Sequence, residues 1–132
     1  MYEKLINSAI EAREKAYAPY SNFKVGAAVL CDEDKIFTGC NVENASYGAT
    51  NCAERTAIFK AVSEGYNKIK AIALIGDPNG FTYPCGICRQ VISEFAESGS
   101  MKIIIVKNEH EYIIKTLDEI LPGFFTRKDL NI

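Results

Sequence analysis

Asn51-Cys52-Ala53-Glu54-Arg55 and Pro84-Cys85-Gly86-Ile87-Cys88-Arg89 are the two stretches on which the reading of this chain turns. Each stands where an irregular segment gives way to a helical pattern. From Cys52 to Val62 the apolar positions Ala53, Ala57, Phe59, Ala61 and Val62 supply one packing surface, and Gly65 ends the run. From Cys85 to Ala96 the inner face is Val91, Ile92, Phe95 and Ala96. After each helix comes an apolar run of strand length, Ile69–Ile75 and then Met101–Val106. A strand reached through a helix reads as a crossover that adds a parallel neighbour to the sheet, with right-handed connections.

Working outward, residues 2–17 read as an amphipathic helix, with Leu5, Ala9, Ala12 and Ala16 in one stripe widened by Ile6, Ile10 and Tyr17, closed by Pro19. Val25–Leu30 is small and apolar throughout, which predicts a strand covered on both faces. The Asp32-Glu33-Asp34-Lys35 turn joins it to Ile36–Cys40 in an antiparallel hairpin. Residues 41–48 are polar and end at Gly48, so they read as a loop. Downstream, Asn108-Glu109-His110 is too short for a crossover, so Tyr112–Ile114 runs antiparallel to Met101–Val106. Thr116 caps a short helix, Leu117–Leu121, and Arg127–Ile132 shows no pattern. The expectation is an α/β protein: a three-layer α/β/α sandwich around a five-stranded mixed sheet, with residues 1–132 as one domain.

The net charge is −2 and the pI is near 5.5. Lysines and arginines are scattered among acids, where a polynucleotide-binding surface would gather them to displace phosphate counterions. No nucleic-acid partner is expected. The N-terminus lacks the basic and apolar regions of a signal peptide, and no apolar run reaches the ~20 residues that a membrane helix needs. The expected setting is cytoplasmic, without membrane contact. Five cysteines, an odd number, fit poorly with a disulfide framework. Cys31 and Cys40 read as free thiols in strand sequence, and His110, the only histidine, as a surface residue.

Cys52, Cys85 and Cys88 are different. Cys52 and Cys85 fall at helix N-termini, where unpaired N–H groups and positive potential favour the thiolate. The Cys-x-x-Cys spacing lets two sulfurs bite one ion. Alone it would also suit a thioredoxin-type redox pair, but a third cysteine with its own glutamate shifts the reading to zinc. Three thiolates leave one tetrahedral position open, which is the mark of a catalytic rather than a structural zinc. Glu54 is the candidate proton carrier. Arg55 and Arg89, each directly after a motif, are close enough for one or both to donate to sulfur and offset the charge of three thiolates.

These residues resemble those of the cytidine deaminases, in their small homotetrameric three-cysteine form. The resemblance is carried by Cys52-Ala53-Glu54-Arg55 and Pro84-Cys85-Gly86-Ile87-Cys88-Arg89-Gln90. It extends to Tyr17-Ala18-Pro19-Tyr20-Ser21-Asn22-Phe23-Lys24-Val25-Gly26-Ala27-Ala28, to Asn41-Val42-Glu43-Asn44-Ala45-Ser46-Tyr47 and to Leu121-Pro122-Gly123-Phe124. Ile87 departs from the family's smaller residue without removing a ligand. The resemblance implies one Zn²⁺ per chain on Cys52, Cys85 and Cys88, with Glu54 as proton shuttle. It implies that Phe23 stacks on the pyrimidine and that Asn41 and Glu43 bind the ribose 3′-hydroxyl. Ala53 and Glu54 read the base. Ala45 and Tyr47 lie near the 5′-hydroxyl in a neighbouring subunit's site, and Phe124 covers the base in another. The implied reaction is hydrolytic deamination of cytidine and 2′-deoxycytidine to uridine and 2′-deoxyuridine plus ammonia, a step of pyrimidine salvage. The physics of the residues agrees with these roles. Aromatic faces sandwich a flat base, and Asn with Glu both donates to and accepts from hydroxyls. The absence of Lys and Arg from 41–48 suits an uncharged 5′-hydroxyl. The other readings are a deaminase of a related nucleoside such as a blasticidin-type antibiotic, a tRNA or single-stranded DNA deaminase, and a structural zinc module. The 41–47 segment, the acidic pI and the three-ligand count weigh against them in turn.

Overall fold

The computed structural model describes all 132 residues. In chain order the elements are α1 (Glu3–Arg13), β1 (Gly26–Cys31), β2 (Ile36–Cys40), α2 (Ala53–Ser63), β3 (Ile69–Ile75), α3 (Gly86–Phe95), β4 (Lys102–Val106), β5 (Tyr112–Thr116) and α4 (Leu117–Ile120). The five strands form one sheet in the order β2-β1-β3-β4-β5. β1 pairs antiparallel with β2, from Gly26 opposite Cys40 to Leu30 opposite Ile36. β3 and β4 are parallel, and β4 and β5 are antiparallel.

The sheet is covered on both sides because its central strands are apolar on both faces. Ala27 and Val29 of β1, Ile72 and Leu74 of β3, and Ile103 and Ile105 of β4 point to one side, where they pack with Ala53, Ala57, Ile58 and Ala61 of α2 and Ile92 of α3. Ala28, Ala73, Ile75, Ile104 and Val106 point to the other, under Leu5, Ile6 and Ala9 of α1. The alternation follows from the two-residue period of a strand. This is the three-layer α/β/α sandwich expected from the sequence. At Gly39 a Cβ would lie 2.4 Å from the Ala57 nitrogen and 2.7 Å from the Ala53 oxygen. Only glycine lets β2 come this close to α2, and the close approach fixes where that helix begins.

Two expectations need correction. The first crossover does not give β3 a parallel neighbour in the hairpin: β3 lies against β1, antiparallel, from Gly26 opposite Ile75. Only the second crossover makes a parallel neighbour pair. β1 is the most uniformly buried of the hairpin strands, so its free edge is the one that gains from a partner, while β2 stays at the rim. α1 ends at Arg13 rather than running to residue 17. Its apolar stripe ends at Ala12, and the backbone of Tyr17 bonds to Asn41 and Glu43 instead of continuing the helix. In the tail, where the sequence shows no pattern, Arg127–Leu130 forms a 3₁₀ turn closed by a reciprocal Thr126/Asp129 cap. The cap expected at Thr116 is present as a capping box with Glu119. Cys31 is buried and Cys40 half-buried, both as free thiols, and the His110 side chain is 84% exposed.

Candidate metal centre and active site

Cys52 is the N-cap of α2 and Cys85 the N-cap of α3. The two helices rise from the same end of the sheet, so their N-termini meet. Cys88, one turn into α3, is fully buried. The three Sγ atoms lie within 4.8 Å of one another. Tetrahedral zinc with Zn–S bonds of about 2.3 Å needs sulfurs about 3.8 Å apart, and Cys52 and Cys85 Sγ are 3.8 Å apart. The donor set and its spacing therefore fit zinc with one position free of protein.

The surroundings favour thiolates. The Cys88 amide N–H donates to Cys85 Sγ at 3.5 Å, and Arg55 donates to Cys52 Sγ at 3.2 Å. Hydrogen bonds from Cys88, Arg55 and Cys85 hold the Cys52 thiol well below its usual range. Cys88, which supplies the first of those bonds and is itself desolvated, is pushed up. A cation that collects all three sulfurs as thiolates displaces the protons they carry. Of the two arginines expected near sulfur, only Arg55 donates to it. Arg55 reaches sulfur, while its Nε is buried with no hydrogen-bond partner. Arg89 does not reach sulfur: its Nε donates to the Pro84 carbonyl at 2.8 Å and its guanidinium to the Ile120 carbonyl at 2.7 Å. It ties the loop before Cys85 to the end of α4. Two carbonyls with no competing donor nearby attract it more than a sulfur already served by Arg55.

Glu54 lies in the first turn of α2 and is only 4% exposed. Burial pushes its carboxyl up to about 7, and the neighbouring Cys52 charge adds to the rise. The positive charge of a bound cation opposes that shift. The carboxyl is not part of the three-sulfur set. It faces a cleft of about 310 Å³ together with Ala53, Cys52, Cys85, Phe23, Asn41 and Glu43.

The structure thus brings together seven of the residues singled out from sequence in one cleft. Asn41 and Glu43 also have work within the chain. Asn41 accepts from the Val25 amide at 2.9 Å and donates to the Phe23 carbonyl at 2.8 Å. Glu43 accepts from the amides of Tyr20 and Ser21 at 3.0 and 3.1 Å and from the Ser21 hydroxyl. Those bonds, the hydroxyl first, hold its carboxyl below the usual range. Tyr47 lines an adjoining hollow of about 370 Å³ with Tyr20, Ser21, Glu43 and Thr50, and Ala45 is exposed beside it. Phe124 does not join the cleft of its own chain; it packs half-buried against the core. Thr82 and Tyr83 also line the cleft. Tyr83 stands directly before Pro84-Cys85, and that adjacency to a ligand was the available signal.

The fold and the cradle define an α/β protein with a three-thiolate metal site and an acid held beside it. The family model for the cytidine and deoxycytidylate deaminase zinc-binding region matches residues 1–115. A cytidine deaminase of Sporosarcina psychrophila is 50% identical over 129 residues, covering 98% of this chain and 94% of the relative. One of Halalkalibacterium halodurans is 48% identical, covering 98% and 97%. Among solved structures, cytidine deaminase from Burkholderia pseudomallei superposes with a TM-score of 0.88 at 46% identity, covering 95% of this chain and 99% of that one. The Mycobacterium tuberculosis enzyme superposes with a TM-score of 0.79 at 39% identity, covering 94% and 96%. The chain belongs to the zinc-binding cytidine and deoxycytidylate deaminase family.

Proposed function

We propose that the chain hydrolyses cytidine and 2′-deoxycytidine to the uridine nucleosides and ammonia, with residues 1–132 acting as one catalytic unit. The observation that carries this reading is the buried Glu54 beside three thiolates spaced for zinc, at the floor of a cleft of about 310 Å³. Zinc held by Cys52, Cys85 and Cys88 supplies activation of water for attack on the carbon that bears the amino group. The chain's own part is proton traffic and orientation. Glu54 accepts the proton released by water, passes it to N3 of the base, and moves a second proton to the departing amine, so that cytidine and water leave as uridine and ammonia. A carboxyl whose burial raises it toward neutrality is suited to both directions of that transfer. Arg55, bonded to Cys52, withdraws charge from the sulfur and keeps the metal electrophilic.

Phe23 offers its ring to the pyrimidine, and Ala53 and Glu54 read its edge. Asn41 and Glu43, facing the cleft, have donor and acceptor capacity left for the ribose 3′-hydroxyl after holding the loop. Ala45, Tyr47 and Phe124 do not enter this chain's cleft floor. Ala45 and Tyr47 are exposed and Phe124 is half-buried outside the cleft, positions that suit the subunit-shared sites of a homotetramer, in which Tyr47 and Phe124 complete neighbouring sites. The chain has no helix long and apolar enough to cross a membrane, and the proposed role is pyrimidine salvage in the cytoplasm.

The test is loss of cytidine absorbance on adding zinc-loaded protein, with uridine identified as product, beside Glu54→Ala. Turnover that vanishes in Glu54→Ala, at one zinc per chain, supports the reading. No turnover of either nucleoside by fully loaded wild-type protein overturns it.

A further inference from the structure

Residues 18–25, which present Phe23 to the cleft, are held from two sides. On the cleft side the holders are Asn41 and Glu43, both candidate substrate residues. On the far side there is a single side chain, Arg13, the last residue of α1. Its Nε donates to the Gly76 carbonyl at 2.8 Å and shares the proton with the Lys24 carbonyl at 3.2 Å. Arg13 does not line the substrate cleft; it borders a separate hollow between α1 and the ends of β3 and β4.

The two carbonyls sit where the β1–β3 ladder stops. Gly26 opposite Ile75 is the last pair at this end, and beyond it the strands part. One branch runs back from Lys24 to Phe23. The other runs on from Gly76 to Thr82 and Tyr83, then to Pro84 and Cys85. Both branches form walls of the cleft. They also touch: a Cβ placed on Gly76 would lie 2.4 Å from Thr82 Oγ1 and 3.0 Å from Phe23 Cε1. The bare Gly76 backbone is therefore the seat for the Phe23 ring, and Thr82 is locked beside it by accepting the Asp77 amide at 3.3 Å. The guanidinium is the only side-chain donor bridging the two branches where they part. Its side chain is 23% exposed, and the nearest acid, Glu14, stands at 4.0 Å, so its hydrogen-bonding is directed mainly at the carbonyls.

We propose that Arg13 is a positioning residue for nucleoside binding: by pinning Lys24 and Gly76 together it fixes the Phe23 ring against the Thr82–Tyr83 wall. It touches neither substrate nor metal and acts through Phe23. This rests on the deaminase reading above. It separates Arg13 from the other residues that brace the site, because its loss should spread the walls of the base pocket and leave the thiolates and Glu54 in place. The effect belongs in ground-state binding of the base rather than in chemistry.

The experiment compares wild type, Arg13→Met and Arg13→Lys, each checked for zinc content and for unfolding temperature. KM and kcat are measured for cytidine, and uridine affinity is measured by calorimetry without turnover. Arg13→Met keeps the stem and loses the donor. The expected result is a KM for cytidine and a Kd for uridine each raised about tenfold, kcat within about threefold of wild type, and one zinc per chain. Arg13→Lys, which can still donate to both carbonyls, should recover most of the loss. An Arg13→Met protein with wild-type KM and uridine affinity overturns the proposal. So does one whose kcat and zinc content fall together while KM holds, since that is the pattern of a merely structural residue. Wild-type protein that neither turns over cytidine nor binds uridine would instead defeat the deaminase reading, and the two failures cannot be confused.

Discussion

The two ends of the cleft are built by opposite means. The metal end is made of secondary structure. Cys52 and Cys85 cap two helices, Cys88 and Ala53 are fully buried, and Glu54 is nearly so. The nucleoside end is made of loops. Phe23 is 42% exposed and Tyr47 76% exposed, and the backbone of residues 20–25 is held mainly by side chains, with few backbone bonds of its own. Chemistry needs donors fixed to a fraction of an ångström, and packed helices provide that rigidity. A substrate must enter and leave, so the groups proposed to grip it sit on segments that are less deeply packed. Large aromatic rings are left exposed around the mouth, Tyr47 most of all, as an exposed apolar patch that a partner surface would cover.

The contrast can be broken at its strongest point first. Cys88→Ala should take zinc content well below one per chain, as read by atomic absorption, and bring deamination to background, because two remaining thiolates do not close a zinc site. Retention of full zinc would mean that the cradle is not the metal site. Next in size, Glu54→Gln should lower kcat about 10³-fold, within the range for a lost general acid–base, while zinc stays bound. Equal losses of zinc and activity there would dissolve the separation of metal holding from proton transfer.

At the loop end the effects should be smaller and fall on KM. Phe23→Ala should raise KM for cytidine about tenfold, since stacking of a base on an aromatic ring is worth about 1–3 kcal/mol, with kcat changed less. A kcat effect that exceeds the KM effect would place Phe23 with the chemistry instead. The gentlest probe is pH. Glu43 holds the loop as a carboxylate, and its folded value is depressed, chiefly by the Ser21 hydroxyl. Its contribution is therefore complete above the ordinary carboxylate value and is lost only as pH falls through the depressed folded one. Between pH 6 and 8 the KM contribution of Glu43 should be flat, so the ratio of KM values for Glu43→Gln and wild type should not change. A ratio that falls from pH 8 to pH 6 would show that Glu43 titrates in that range and is not held as described.

The sequence by itself determined the metal end. Cysteine and glutamate at the head of one helical pattern, and Cys-x-x-Cys at the head of another, carry their spacing locally, because a helix turn fixes which residues share a face. The same local rules gave the five strands, the three layers and the Thr116 cap. Tertiary structure alone decided what depends on which chain segments meet. That β3 lies against β1 and not β2 follows from how apolar surfaces compete for edges. That Arg55 and not Arg89 reaches sulfur follows from where the carbonyls of Pro84 and Ile120 happen to lie. The reach of Arg13 across 63 residues to Gly76, and the seat that a missing Cβ leaves for Phe23, have no trace in local pattern. Hydrogen bonds and close contacts between distant segments exist only once the sheet has set their distance, and a sequence read along one dimension does not contain that distance.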